Sequence, residues 1–157
     1  PTGVEYQNEP DEATKERVEY LADLGVDVVI GTHPHVIRPY GMMERPDGKQ
    51  MLVYYSLGNF VSGQQGISQL LEGMADMTFV KDPDTGEISI ETYSMEPLVM
   101  HYEPGYSGYA VYPLEKYTEE LAAASGVHQE TNEDFSPESI QAYFEPYLKP
   151  QVFERAE

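Results

Sequence analysis

Two histidines, His33 and His35, lie two positions apart just after the run Val26–Ile30. That run is short, rich in β-branched residues and bounded by glycines, a pattern typical of a buried strand. Pro34 has a fixed φ and biases the residue before it towards extended geometry, which would aim both rings to the same side. Two imidazoles at a strand end form half of a site for divalent zinc, manganese or iron.

A histidine pair is too small a ligand set to hold a catalytic metal. Catalytic zinc sites use about three protein ligands and two-metal sites use more, so carboxylates would have to come from other segments. The alternative is structural: His33 and His35 would be loop residues that form hydrogen bonds at the strand end. Their spacing alone leaves both interpretations open.

The elements around the pair predict an α/β fold. Residues 10–24 open with proline and two acids and place Val18, Leu21 and Ala22 on one face, which predicts a helix that Gly25 ends. A helix followed directly by the strand 26–30 is half of an α/β unit.

Two hairpins and two further helices are predicted downstream. Turn residues at 45–49 and 82–86 predict the hairpins, with strands at 51–55, 74–81 and 87–95, and another strand is expected at 109–112. Residues 114–124 have helical composition, 127–135 suggest a solvated linker, and Ser136 begins a helix that reaches Tyr147. The sheet is therefore expected to be mixed, with hairpins.

The charge of the chain argues against several partners. It has 28 acidic residues against 9 Lys and Arg among its 157 residues, a formal net charge of -19. Such a surface repels phosphate backbones and anionic lipids, so we expect no nucleic-acid partner. Polyglutamate would also be repelled unless a basic patch or bridging cations intervened.

Cysteine is absent, which excludes disulfides, thiolate zinc sites and cysteine nucleophiles. No segment approaches the roughly 20 apolar residues that span a bilayer, so we expect no membrane segment in this chain. The chain does not begin with Met, and we expect it to be a fragment whose targeting sequence, if present, lies upstream.

Three blocks in order resemble the CapA family of poly-γ-glutamate capsule biosynthesis proteins. They are GVEYQ at 3–7, GVDVVIGTHPHVIRP at 25–39 and LVYYSLGNFV at 52–61. Together they are more specific than any single motif. The resemblance covers about the first 60 residues and is loose beyond residue 62.

The resemblance implies a calcineurin-type metallophosphoesterase-like fold, a four-layer α/β/β/α sandwich with two divalent metals. We expect these metals to be Mn, Zn or Fe in the intact protein. Residues 1–126 would be the C-terminal half of that domain, and 127–157 a linker and helical tail. His33 and His35 match the family's metal motif. Pro1 and Thr2 stand where the family's block HWGxEY begins with an expected ligand, so a third ligand is in doubt.

The resemblance also suggests catalytic and substrate-binding residues. His35 would act near the leaving group, and Glu5 as an acid or base or as the residue that orients a histidine. The role of Arg38 is inferred from the residue itself and not from the resemblance, since many family members have Gln there. As one of nine basic residues, three positions past His35, it would face an anionic substrate group, or be a surface arginine that balances local acid. Asn59 would hydrogen-bond the metal loop or substrate, or stabilise a turn.

Three functions follow from these features. The first is a fragment of a metal-dependent hydrolase, inactive alone, that pairs with the missing N-terminal half or a second copy because a central strand is otherwise exposed. The second is a non-catalytic component of an extracellular capsule synthesis and export complex. Both place the intact protein at the outer face of the membrane or cell surface. The third is an acidic interaction domain with an accidental motif.

Overall fold

The computed structural model describes residues 3–155, and Pro1, Thr2 and the last two residues lie outside this range. Its α-helices are α1 Glu12–Asp23, α2 Ile67–Leu70, α3 Glu119–Ala124 and α4 Pro137–Phe144. Its strands are β1 Val28–Ile30, β2 Tyr40–Glu44, β3 Gln50–Tyr54, β4 Leu71–Lys81, β5 Ile88–Glu103, β6 Ser107–Pro113 and β7 Gln151–Phe153. No helix in this range is long and apolar enough to cross a membrane.

The strands form two sheets, so the fold is α/β with one mixed and one antiparallel sheet. The mixed sheet has the order β1-β3-β2-β7, in which β1 runs parallel to β3 and β2 runs antiparallel to it. The antiparallel sheet has the order β4-β5-β6. Both predicted hairpins are confirmed, as β2–β3 and β4–β5.

The alternation of β3 joins the layers of the core. Met51 and Val53 pack with Val18 of α1, on one side of the mixed sheet. Leu52 and Tyr54 point to the other side and pack with residues of the antiparallel sheet. Because successive strand residues point to opposite faces, one five-residue strand contributes to two apolar layers.

The β1 strand differs from its prediction. It is only three residues long, Val28 and Val29 are half-buried, and Ile30 is 50% exposed. Burial was predicted from the apolar run, but within residues 3–155 no strand pairs with the second edge of β1. Within this range, that edge of β1 is therefore unpaired.

The C-terminal region is more compact than its sequence indicated. The predicted helix 114–124 is divided into a 3-10 turn at Leu114–Lys116 and α3, which begins after the N-cap Thr118. The predicted solvated linker 127–135 is wrong at both ends, because Val127 and Phe135 are buried in one apolar cluster with Phe144 of α4. Polar residues between them concealed this pattern.

Candidate metal centre

The candidate site begins where β1 gives way to the histidine loop. The Gly31 N–H donates to the carbonyl oxygen of Tyr54 at 2.7 Å, which continues the pairing of β1 with β3 by one residue. A Cβ atom at position 31 would lie 2.3 Å from the carbonyl oxygen of Tyr55. Only glycine allows this approach, so Gly31 holds the start of the loop against β3.

His33 and His35 converge, but by a different geometry from the predicted one. Both have a positive φ, 109° and 62°, so the loop is not extended. Their ring centroids lie 6.0 Å apart with planes tilted by 50°, and both residues are half-buried. Tertiary hydrogen bonds override the local preference set by Pro34: its carbonyl oxygen accepts from the Tyr6 N–H at 2.8 Å.

Glu5 joins the two histidines from a distant part of the chain. One ligand atom from each of Glu5, His33 and His35 lies within 4.8 Å of the other two, in a group that could hold a metal ion. Glu5 is exposed, so the group opens to solvent on its side. Two nitrogens and a carboxylate oxygen suit zinc and similar divalent metals, and three protein ligands leave a position open for water or substrate.

Arg38 lies inside the protein, where it holds the segment that carries Glu5. Its Nε donates to the carbonyl oxygen of Gln7 at 2.8 Å, and its Nη2 donates to that of Val4 at 2.9 Å. The side chain is 0% exposed, and burial lowers the pKa of the guanidinium, with the charges of Asp11 and Glu9 opposing that effect. The alternative of a surface arginine is wrong, because the side chain is buried against the main chain, and substrate binding by Arg38 stays a prediction.

Asn59 lies beside His35, from a loop that follows β3. Its Oδ1 is 2.8 Å from Nδ1 of His35, and its Nδ2 donates to Oε1 of Gln64 at 2.9 Å and to the carbonyl oxygen of Gln69 at 3.2 Å. The structure thus includes one of the predicted roles of Asn59, a hydrogen bond with the histidine loop. Whether Asn59 also contacts substrate stays a prediction.

Backbone strain is concentrated at this site. Five non-glycine residues between 3 and 155 have a positive φ, and four of them are Tyr6, His33, His35 and Phe60. Such conformations cost about 1–3 kcal/mol each and persist where the surrounding structure holds them. They tend to cluster at functional sites, which supports a functional interpretation of this loop pair.

Glu72 was missed by the sequence analysis and lies beneath the same loop. It is 0% exposed, and neither carboxyl oxygen has a hydrogen-bond partner among the described residues. Burial raises its pKa from 4.5 to about 8, while the nearby N–H of Phe60 has a smaller, opposite effect. No sequence pattern could have revealed the burial of Glu72, since it depends on tertiary contacts with the loop and nothing in the surrounding strand sequence marks this acid as unusual.

The other two histidines are structural. Nδ1 of His101 lies 2.9 Å from the hydroxyl oxygen of Tyr117 in the core, and burial lowers the pKa of His101. Nε2 of His128 lies 3.0 Å from the carbonyl oxygen of Ala122. Neither belongs to the Glu5, His33 and His35 group.

Comparison with a family model gives a match over the same region. Residues 2–64 match the model of the bacterial capsule synthesis protein family PGA_cap. The chain is 32% identical over 88 residues to the PGA biosynthesis protein CapA of Bacillus subtilis (strain 168), which covers 56% of this chain and 22% of that protein. It is 37% identical over 62 residues to the capsule biosynthesis protein CapA of Bacillus anthracis, which covers 40% of this chain and 14% of that protein.

No solved structure matches the chain significantly. The matches span less than a quarter of each curated relative, so they describe a part of such a protein. The family match contains all the residues of the candidate metal group. The chain is thus CapA-like, with its resemblance to the bacterial capsule synthesis family carried by residues 2–64.

Proposed function

We propose that the chain is part of a CapA-like protein of poly-γ-glutamate capsule biosynthesis, and that the intact protein is a divalent-metal-dependent hydrolase. One observation carries the metal dependence: ligand atoms of Glu5, His33 and His35 lie within 4.8 Å of one another. The capsule assignment is supported by the family match over the same residues.

Glu5, His33 and His35 would hold the cation, which would be Mn, Zn or Fe. When bound, a divalent cation supplies Lewis acidity towards a phosphoryl or carbonyl oxygen. Glu5 is the exposed member of the group, and the carboxylate oxygen that it does not offer to the cation would accept a proton on the solvent side. His35 would serve both as a ligand and as the group nearest the reacting atoms.

The finer fold proposal is a metallophosphoesterase-like sandwich completed by another chain segment. Its support is the edge of β1 that is unpaired within residues 3–155, since an unpaired strand edge is a template for pairing with another segment. The missing N-terminal half, or a second copy, would pair there and bring the ligands for a second metal. Residues 1–126 would belong to this sandwich and 127–157 to a tail that packs on it.

Placement of the intact protein at the outer face of the membrane or at the cell surface, within a capsule synthesis complex, is part of the same proposal. The acidic composition of the chain sets a physical requirement for contact with a capsule polymer. An anionic polymer is repelled by a net charge of -19. Bound divalent cations would lower that repulsion at the site.

Calorimetric titration of the chain with Zn²⁺ and Mn²⁺ tests the metal site. We expect one site, and we expect His33→Ala and His35→Ala each to weaken binding by at least about tenfold, because each removes a ligand. His128→Ala is the matched control and should bind as the unmodified chain does. Equal binding by all three variants would refute the site.

Hydrolysis is tested separately in the longer protein, with its N-terminal half present and loaded with Mn²⁺ or Zn²⁺. Turnover of a phosphoester or peptide substrate that is lost in His35→Ala would support the hydrolase. Metal binding with no turnover on either substrate class would contradict it.

A non-catalytic role in polymer synthesis or export is the second candidate. It is favoured by the number of ligands in the candidate metal group. Within residues 3–155 the group has three, which is fewer than a two-metal site needs. Polymer production in cells that carry both His33→Ala and His35→Ala distinguishes the two. Unchanged production favours the non-catalytic role, and loss of polymer favours chemistry.

A further inference from the structure

His35 is enclosed by a closed circuit of side-chain contacts. Its Nδ1 meets Oδ1 of Asn59 at 2.8 Å, and Nδ2 of Asn59 donates to Oε1 of Gln64 at 2.9 Å. Nε2 of Gln64 donates to the hydroxyl oxygen of Tyr6 at 3.0 Å. The Tyr6 ring closes the circuit by stacking on His35, with centroids 5.8 Å apart and planes 27° apart.

The orientation of the Asn59 amide follows from the main chain around it. Its Nδ2 faces the carbonyl oxygens of Gln69 at 3.2 Å and of His35 at 3.5 Å. Carbonyl oxygens only accept hydrogen bonds, so the NH₂ group must point towards them and Oδ1 must point towards the His35 ring. An amide oxygen is also only an acceptor, which requires that Nδ1 of His35 carry the proton.

We propose that Asn59 and Gln64 are positioning residues that select the Nδ1–H tautomer of His35 and thereby leave its Nε2 lone pair free for a cation. A neutral imidazole has one donor and one acceptor nitrogen, so the hydrogen bond to one nitrogen determines which nitrogen can bind a metal. The identity of the ligand rests on the proposed function, but the tautomer does not.

Gln64 acts through Asn59. It offers Oε1 to the Asn59 amide and uses its own NH₂ on Tyr6, so its amide orientation also follows from its neighbours. Tyr6 is held from the other side by its N–H, which donates to the carbonyl oxygen of Pro34. The histidine ring is therefore fixed both in its plane, by Asn59, and against one face, by Tyr6.

The tautomer can be read directly from the ring nitrogens. Two-dimensional NMR of the ¹⁵N-histidine-labelled chain, at a pH where His35 is neutral, distinguishes a protonated Nδ1 from a protonated Nε2. We expect Nδ1–H in the unmodified chain and in Asn59→Asp, whose carboxylate still accepts. We expect Asn59→Leu to show a mixture of the two tautomers, because no acceptor remains. Gln64→Ala should shift the population in the same direction by less.

Gln141→Ala is the matched control for Gln64→Ala, since Gln141 is exposed on α4, and it should leave the tautomer unchanged. If Asn59→Leu does not fold, the unmodified chain and Gln64→Ala still decide the matter. Nε2–H in the unmodified chain, or an unaltered tautomer in Gln64→Ala and in any folded Asn59→Leu, would overturn the inference.

Zinc titration provides the second readout. Loss of an outer partner typically weakens metal binding by about 10–100-fold, and we expect this for Asn59→Leu but not for Asn59→Asp. If the unmodified chain binds no zinc while Asn59→Leu still changes the tautomer, the proposed function fails and the positioning role stands. If zinc binds and replacement of Asn59 leaves the tautomer unchanged, the metal site stands and the positioning role fails.

Discussion

Arg38 donates a hydrogen bond from Nη2 to the carbonyl oxygen of Val4, the residue that directly precedes Glu5. A second bond, from Nε to the carbonyl oxygen of Gln7, holds the other side of the same short segment. Since Arg38 lies three residues after His35, the two parts of the candidate metal group are joined by a buried cation. The position of Glu5 therefore depends on Arg38.

Replacing Arg38 with Met should disconnect this segment. We expect the free energy of unfolding to fall by about 2–4 kcal/mol, because two hydrogen bonds to a charged group are lost. Zn²⁺ affinity should also fall by roughly tenfold, as Glu5 becomes mobile. Urea unfolding and calorimetric titration measure the two effects.

Arg17→Met is the matched control, because Arg17 is exposed on α1. It should change stability by less than about 0.5 kcal/mol and leave the affinity as it is. Arg38→Met with normal zinc affinity would show that Glu5 is held by other contacts.

Glu72 should make stability fall as the pH rises. Its pKa is raised to about 8 in the folded protein from an ordinary 4.5, so the folded state keeps a proton that the unfolded state has released. Stability contributed by that proton is present below pH 4.5 and is lost progressively up to about pH 8. With about 1.4 kcal/mol per pKa unit, the rise from 4.5 to about 8 corresponds to a loss of roughly 5 kcal/mol at most.

Chemical unfolding at several pH values checks the role of Glu72. Glu72→Gln should remove this slope, because the amide stays neutral, and should be more stable than the unmodified chain at pH 8. Glu91→Gln, at an exposed position of β5, should keep the slope. Parallel pH profiles for the unmodified chain and Glu72→Gln would contradict the prediction.

Substitution of Gly58 should lower the stability of the protein more than substitution of Gly63, five residues later in the same loop. Gly58 has a φ of 81°, and a Cβ atom there would lie 3.4 Å from Cα of Glu72. We expect Gly58→Ala to cost about 1–2 kcal/mol, the price of left-handed geometry for an L-residue. It should also loosen Asn59, which the NMR signal of the His35 ring would report.

Gly63→Ala serves as the comparison from the same loop. A Cβ atom at position 63 meets nothing within 4 Å, so stability should change by less than about 0.5 kcal/mol. Thermal unfolding of both variants decides the question. Equal losses would mean that the loop tolerates no added atom at either glycine.

The free edge of β1 should cause self-association. Unpaired strand edges template pairing with other chains, and Ile30 is an exposed apolar residue at the end of this strand. We expect sedimentation velocity to show concentration-dependent association that Ile30→Lys reduces. Leu24→Lys, at an exposed apolar position after α1, should have no comparable effect. A strictly monomeric chain at high concentration would contradict this prediction.

Local patterns predicted most of the secondary structure. The turn residues at 45–49 and 82–86 produce the two hairpins, and the acidic start of α1 is a real N-cap at Asp11. These features depend on residues close in sequence, so local rules apply. The strand β7 and the burial of Val127 and Phe135 were not predicted, because each depends on contacts with distant segments.

The sequence by itself determined the histidine pair, its place after a short strand, and the resemblance of the surrounding blocks to capsule synthesis proteins. The tertiary structure decided how those residues meet. The histidine loop is left-handed instead of extended, Arg38 is buried against the main chain, and Asn59 orients the ring of His35. The physical reason is that hydrogen bonds from the 3–8 segment and from Asn59, in the loop after β3, outweigh a local backbone preference, and neither segment is near the histidines in sequence.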